Sequence, residues 1–267
     1  VVVNLFLSGE FSISMPLCFA TDNWQWTMTP TRLEVDGSKL LYRGEEISGV
    51  IHYADCADKK LEFDNLHHIA WCDVPCWPDP YTLIHMLDRH VVMEMCIDLK
   101  LTTNDQVHVL QYGDLVPMGY PYVLKVGQAH RGEGKYLIKR PADLLFVDWP
   151  GDSVRCTVEP FYEGRSVRAL AVGDRWFGLE VTNDQSWIKN TAGAEVTEVE
   201  LPRGLLTHAN EVKEAFELDV AGIDYIVRDD GSFEFLEVNQ YPGLGAVEEA
   251  GREFLKRKMY GLSQKKD

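Results

Sequence analysis

In the stretch from Asp219 to Asn239 two apolar runs meet at an Asp230-Gly231 pair, and this segment restricts the fold more than any other. Asp-Gly between apolar strands is a strong signal for a tight β-turn, because both positions tolerate positive φ. A two-residue turn there pairs Asp229 with Ser232, and counting five residues outward along each strand pairs Asp224 with Glu237. Asn239, two residues further on, falls on the same face. The hairpin therefore sets two carboxylates and an amide oxygen side by side. Carboxylates this close repel unless a cation lies between them. An all-oxygen set suits magnesium, which takes few protein ligands and completes its shell with water and phosphate. A solvated hairpin face with chance acidic residues would show the same pattern, so the rest of the chain has to decide.

A second segment bears on this. The apolar run Tyr122 to Val126 carries Lys125 and leads into a glycine-rich stretch, Gly127 to Lys135, followed by another short strand, Tyr136 to Ile138. A lysine on a strand beside a glycine-rich turn can set a cation and backbone N–H groups over a triphosphate. It matches neither the Walker pattern nor the Rossmann GxGxxG pattern.

The formal charge of −16 repels nucleic-acid backbones at long range, which argues against a nucleic-acid partner but not against a nucleotide bound locally with a metal. No window approaches the roughly 18 apolar residues of a membrane span. The opening Val1 to Leu7 lacks a basic flank and reads as a buried strand rather than a leader. Six scattered cysteines fit buried thiols in a reducing cytoplasm better than a disulfide frame, and the close pair Cys72 and Cys76 lacks the second pair that zinc needs. A chain of 267 residues can bury a sizeable core in more than one domain.

Periodicity predicts further strands at Gly49 to Ile51, His68 to Trp71, Thr157 to Glu159, Arg168 to Val172 and Trp176 to Val181. Helices are expected from Tyr81 to about Leu99 after Pro78-Asp79-Pro80, through Leu205, Ala209, Val212 and Phe216, and from Val247 to Met259. Among the histidines, His130 in the glycine stretch is a candidate phosphate contact, whereas His67, His68, His85 and His90 show no ligand spacing and read as structural. Trp24, Trp26, Trp71 and Trp77 read as core or interface, and the basic C-terminal run as the complement of a helix end.

Lys125 with its glycine stretch, the turn from Glu159 through Pro160, Phe161, Tyr162 and Glu163, then Arg168, Lys189-Asn190 and the Asp224/Glu237/Asn239 hairpin occur in a fixed order. That order resembles the ATP-grasp superfamily. It is nearest to the RimK-like glutamate ligases that modify a ribosomal protein and to synapsin. The stretches Leu218 to Asp224 and Phe235 to Leu244 resemble the ligases, and Val123 to Lys135 and Trp187 to Gly193 resemble synapsin.

The resemblance, which runs from about Tyr81 to the C-terminus, implies an α/β (α+β) chain with two α+β subdomains gripping ATP behind a small Rossmann-like domain. The expected divisions are 1–80, 81–160 and 161–267. It implies that Lys125 contacts the α- and β-phosphates, and that Gly127, Gly132, Gly134 and His130 belong to a segment closing over the triphosphate. It implies that Glu159, Pro160, Phe161 and Tyr162 form the hinge that meets adenine and that Glu163 meets the ribose. Asp224, Glu237 and Asn239 would hold one or two magnesium ions, with manganese able to substitute, while Arg168 and Lys189 would neutralise the transferred phosphoryl group. Where the family has a phosphate-contacting lysine after an aspartate this chain has Asp88-Arg89, which keeps the charge for that contact but not the shape, and Ser166 replaces an acidic residue two before Arg168.

The implied activity is ligation of a small-molecule carboxylate, an amino acid or peptide, to an amine through an acyl phosphate. The synapsin likeness leaves a second reading, an ATP-binding protein that regulates assembly, and a kinase-like transfer is a distant third. A cytoplasmic location, no membrane and a homo-oligomer, common in that family, complete the expectations.

Overall fold

The computed structural model describes residues 32–53, 58–111, 119–127, 134–149, 151, 154–183, 186–189 and 193–264, together with strands Val2–Phe6 and Trp24–Thr27. Those residues form an α+β fold with three sheets among them.

The first sheet holds β1 (Val2–Phe6), β2 (Trp24–Thr27), β3 (Glu34–Asp36), β4 (Lys39–Tyr42), β5 (Glu45–His52) and the short β6 (Cys76–Trp77). β2, β1, β5 and β6 run parallel in that order, the half-Rossmann arrangement expected of an α/β unit. β3 and β4 add an antiparallel ribbon to the first residues of β5. Helix α1 (Lys59–Trp71) starts where the Asp58 carboxylate accepts from the Leu61 N–H at 3.0 Å. Its Leu66 and Ile69 pack on Leu33, Leu40, Ile47 and Val50. The strand predicted at His68 to Trp71 is the last turn of this helix. A four-residue apolar cluster does not distinguish strand from helix, and the Asp58 cap decides for the helix.

The single helix predicted from Tyr81 to Leu99 is two: α2 (Pro80–His85) and α3 (Arg89–Asp98). Asp88 breaks it, because its carboxylate accepts from the His90 N–H at 2.7 Å and the Val91 N–H at 3.3 Å and so caps a new helix. Val92, Met93 and Cys96 of α3 are buried.

In the second sheet, β7 (His108–Gln111), β10 (Arg155–Pro160), β8 (Tyr122–Val126) and β9 (Lys135–Ile138) lie in that order, all antiparallel, with a 3₁₀ helix Pro141–Phe146 after β9. The third sheet runs β13 (Glu195–Val199), β12 (Arg175–Thr182), β11 (Arg165–Val172), β14 (Val220–Val227), β15 (Phe233–Asn239), again antiparallel. Helix α4 (Arg203–Ala215) buries Leu205, Ala209 and Val212 against Tyr225, Phe235 and Val238 of this sheet, and α3 joins the same core. Helix α5 (Glu248–Gln264) begins one residue later than predicted and runs further. Among the described residues no helix is long and apolar enough to cross a membrane.

The β14–β15 hairpin corrects the predicted turn. Arg228, not Asp229, faces Ser232 across the ladder, and its N–H donates to the Ser232 carbonyl oxygen at 2.9 Å. The loop is therefore the three residues Asp229, Asp230 and Gly231, with Gly231 at φ +83°. That shifts the register by one near the turn, where Tyr225 pairs with Phe235. A bulge at Leu236 shifts it back, so that Asp224 faces Glu237 and Gly222 faces Asn239.

Candidate functional site

The site lies where the second and third sheets meet. Lys125 and Lys135 are directly paired residues on β8 and β9, so their side chains leave the same face of the sheet. Each reaches a carboxylate. Lys125 Nζ donates to Glu159 Oε2 at 3.0 Å and to the Leu236 carbonyl oxygen at 3.3 Å, crossing from one sheet to the other. Lys135 Nζ donates to Glu237 Oε1 at 3.2 Å, a second crossing. From β11, Arg168 grips Asp224 with both arms, Nε to Oδ1 at 2.7 Å and a terminal nitrogen to Oδ2 at 2.8 Å.

Electrostatics follow from this convergence. Lys135 first, then Lys125 and Arg89, hold the Glu237 carboxyl far below its usual range against the opposing effect of burial. The Asp224 carboxylate pushes the Arg168 guanidinium further up, and Glu237 does the same to the Lys135 ammonium. Glu159 is buried, which raises its carboxyl, and Lys125 opposes that. Four cations (Arg89, Lys125, Lys135, Arg168) thus meet three carboxylates (Glu159, Asp224, Glu237).

Asp224, Glu237 and Asn239 stand together as the hairpin count predicts. Asn239 Oδ1 accepts from the Tyr241 N–H at 2.8 Å. The donor set is all oxygen and Glu237 is held ionised, which suits a small hard cation such as magnesium once Arg168 yields Asp224 and Lys135 yields Glu237 Oε1. Among the described residues no three His, Cys, Asp or Glu side chains form such a group by themselves, so a cation here would draw its remaining ligands from Asn239, water and phosphate.

Gly127 and Gly134 border the glycine stretch with φ of +61° and +64°, a backbone region that side chains disfavour. His130 and Gly132 lie outside the described residues, as does Asn190. Arg89 donates to the Val126 carbonyl oxygen at 3.3 Å, and Glu237 and Glu159 act on it electrostatically. In the expected hinge, the Phe161 N–H donates to the Pro121 carbonyl oxygen at 3.1 Å, Tyr162 is buried, and Glu163 is exposed. Pro160 closes β10. Lys189 Nζ donates to the Asn183 carbonyl oxygen at 2.9 Å rather than to the carboxylates.

Two participants carry no role in the sequence reading. Lys135 appears there only as the end of the glycine stretch. The signal for it is its position: a second lysine ten residues after Lys125 becomes its partner once the two strands close into a ribbon. His90, which shows no ligand spacing in the sequence, is buried between Thr157 Oγ1 at 2.8 Å and the Gly127 carbonyl oxygen at 2.9 Å. Cys72, Cys76, Cys96 and Cys156 are free thiols, and burial raises each of them.

Known proteins share both fold and sequence with this chain. The D-alanine–D-alanine ligase of Bacillus anthracis superposes with a TM-score of 0.71 at 13% identity, covering 98% of this chain and 97% of that one. The ATP-grasp ligase PsnB, complexed with a precursor variant, Mg and ADP, superposes at 0.61 with 12% identity over 97% and 98%. In sequence, β-citrylglutamate synthase B of Danio rerio is 29% identical over 150 residues, 50% of this chain and 35% of that protein. The chain spans about a third to a half of the length of the synthases it matches. Residues 84–259, which hold every one of the paired charges described above, match the model of the RimK-like ATP-grasp domain. The chain belongs to the RimK-like ATP-grasp family.

Proposed function

We propose that the protein is an ATP-dependent carboxylate–amine ligase, with Asp224, Glu237 and Asn239 as magnesium ligands. The observation that carries this reading is the convergence of Lys125 and Lys135 from one sheet on the carboxylates and Arg168 of the next. A carboxylate does not react with an amine at neutral pH. Transfer of the γ-phosphoryl group to its oxygen, with ADP leaving, makes an acyl phosphate. The amine then attacks the carbonyl carbon, phosphate leaves, and the amine gives up a proton. The chain's part is to bind and orient charge. Lys125 and Arg89 meet the α- and β-phosphates, Arg168 and Lys189 face the oxygens on which charge grows, and the glycine segment excludes water. Magnesium, when bound, offsets the charge of the phosphate oxygens.

The hinge from Glu159 to Tyr162 meets adenine and Glu163 the ribose. One or two ions serve, and manganese can replace magnesium. The substrates are an amino acid or short peptide and an amine, in keeping with the names of the synthases and ligases that the chain resembles. The free thiols suit a reducing cytoplasm. Divisions at 80 and 160 are supported by the last strands of the first and second sheets, which end at Trp77 and Pro160.

The test is ADP formation with purified protein, ATP and magnesium across a panel of amino acids and amines, with the product identified by mass. Acid-dependent ADP release and a product heavier by the amine less water are expected, and both should vanish in Glu237→Gln. Nucleotide binding without stimulated release under any acceptor would overturn the ligase reading and leave a regulatory ATP-binding protein.

A further inference from the structure

Of the two paired lysines, Lys125 is tied to Glu159 and to the Leu236 carbonyl, and its side chain is only 5% exposed. Lys135 is different. Its hydrogen bond goes to Glu237 Oε1, at 3.2 Å, and the Lys135 and Glu237 side chains keep 20% and 32% of their surface. Gly134, with its left-handed backbone, immediately precedes it, so Lys135 stands at the exit of the glycine segment. Its four-carbon stem is free to rotate in a way that an arginine fork gripping two oxygens is not.

We propose that Lys135 is the internal counter-ion of Glu237 and gives up that place to a divalent cation when nucleotide binds, coupling metal uptake to phosphate binding. The inference rests on the nucleotide–metal reading above. An ammonium and a magnesium-sized ion, which sits about 2.1 Å from its oxygens, cannot share Glu237 Oε1 without strong repulsion. If a metal enters alone, Lys135 is expelled into a region that already holds Arg89, Lys125 and Arg168. If a polyphosphate enters with it, the ammonium acquires a new anion. Metal alone therefore binds weakly, nucleotide strengthens it, and by reciprocity metal strengthens nucleotide to the same extent.

The experiment compares Mn2+ affinity, read by electron paramagnetic resonance, in wild type and Lys135→Met, with and without ADP. Methionine keeps the length of the stem and removes the charge. Without nucleotide, Lys135→Met should bind Mn2+ roughly tenfold more tightly, the effect of losing one charge-assisted competitor. The increase in Mn2+ affinity that ADP brings should shrink by a similar factor. Equal affinities in the two proteins, with unchanged enhancement by ADP, overturn the proposal alone. A wild type that binds neither Mn2+ nor ADP overturns the nucleotide-site reading and the proposal together. A second measurement needs no variant: acylation of Lys135 in the wild type, followed by mass spectrometry. Mn2+ alone should speed labelling severalfold, and ADP with Mn2+ should slow it again. Labelling indifferent to both also overturns the proposal.

Discussion

His90 holds the carbonyl oxygen of Gly127 at 2.9 Å, so the start of the glycine segment is fastened to helix α3 rather than to its own sheet alone. A carbonyl only accepts, which places the proton on Nε2 and leaves Nδ1 to accept from the Thr157 hydroxyl at 2.8 Å. His90→Ala removes both bonds and leaves a buried hydroxyl without its acceptor. We expect a loss of about 1–3 kcal/mol of stability, read from urea denaturation. A higher KM for ATP should accompany it.

Acid should act through the same residue. Burial first, then the charge of Arg89, lowers the His90 pKa to about 4 from the ordinary 6.5. Between those values the unfolded chain binds the proton and the folded chain does not, so stability is full above pH 6.5 and falls as pH drops towards 4. The difference between wild type and His90→Gln in urea midpoint, measured at pH 7 and pH 5, should shrink at the lower pH. A constant difference would show that His90 does not titrate there.

Lys125 and Glu159 form an ion pair whose side chains are 5% and 4% exposed. Lys125→Met leaves a buried carboxylate without its main partner and should cost about 3–5 kcal/mol. Adding Glu159→Gln removes the stranded charge and should return at least half of that loss. Thermal unfolding of the two single variants and the double variant completes the cycle.

A Cβ at Gly222 would lie 2.7 Å from Pro242 Cβ and 3.4 Å from Arg168 Cδ. Gly222→Ala must therefore push away Pro242 in the segment after β15, while the arginine that grips Asp224 would be met only at van der Waals distance. We expect about 1–3 kcal/mol of destabilisation from overpacking and weaker Mn2+ binding. Stability measured beside metal affinity separates the two effects.

The opposition of Asp224 and Glu237 is legible in the sequence, although the route to it is not. The predicted two-residue turn and the observed three-residue turn differ by one position, and the bulge at Leu236 cancels the difference. The sign of that bulge is present in the residues: Phe233 and Phe235 keep the alternation of one phase, whereas Val238 belongs to the other. The Asp88 cap that divides the predicted central helix is equally visible as an aspartate before a helical run. Lys135 and His90 are not, since their meaning depends on which strands pair and which helix end approaches them. Periodicity along one segment carries no information about contacts between segments.

Leu236 has a further consequence. Through the three-residue turn, an uninterrupted ladder would already set Asp224 against Glu237 if Leu236 were missing, with Phe235 still opposite Tyr225. The ribbon could therefore close one residue shorter and lose nothing in alignment. What the surplus residue supplies is one more backbone carbonyl oxygen, and Lys125 Nζ donates to it. The seam between the second and third sheets is thus held by Lys125 on a main-chain oxygen, so it depends on the lysine and not on which side chain stands at position 236.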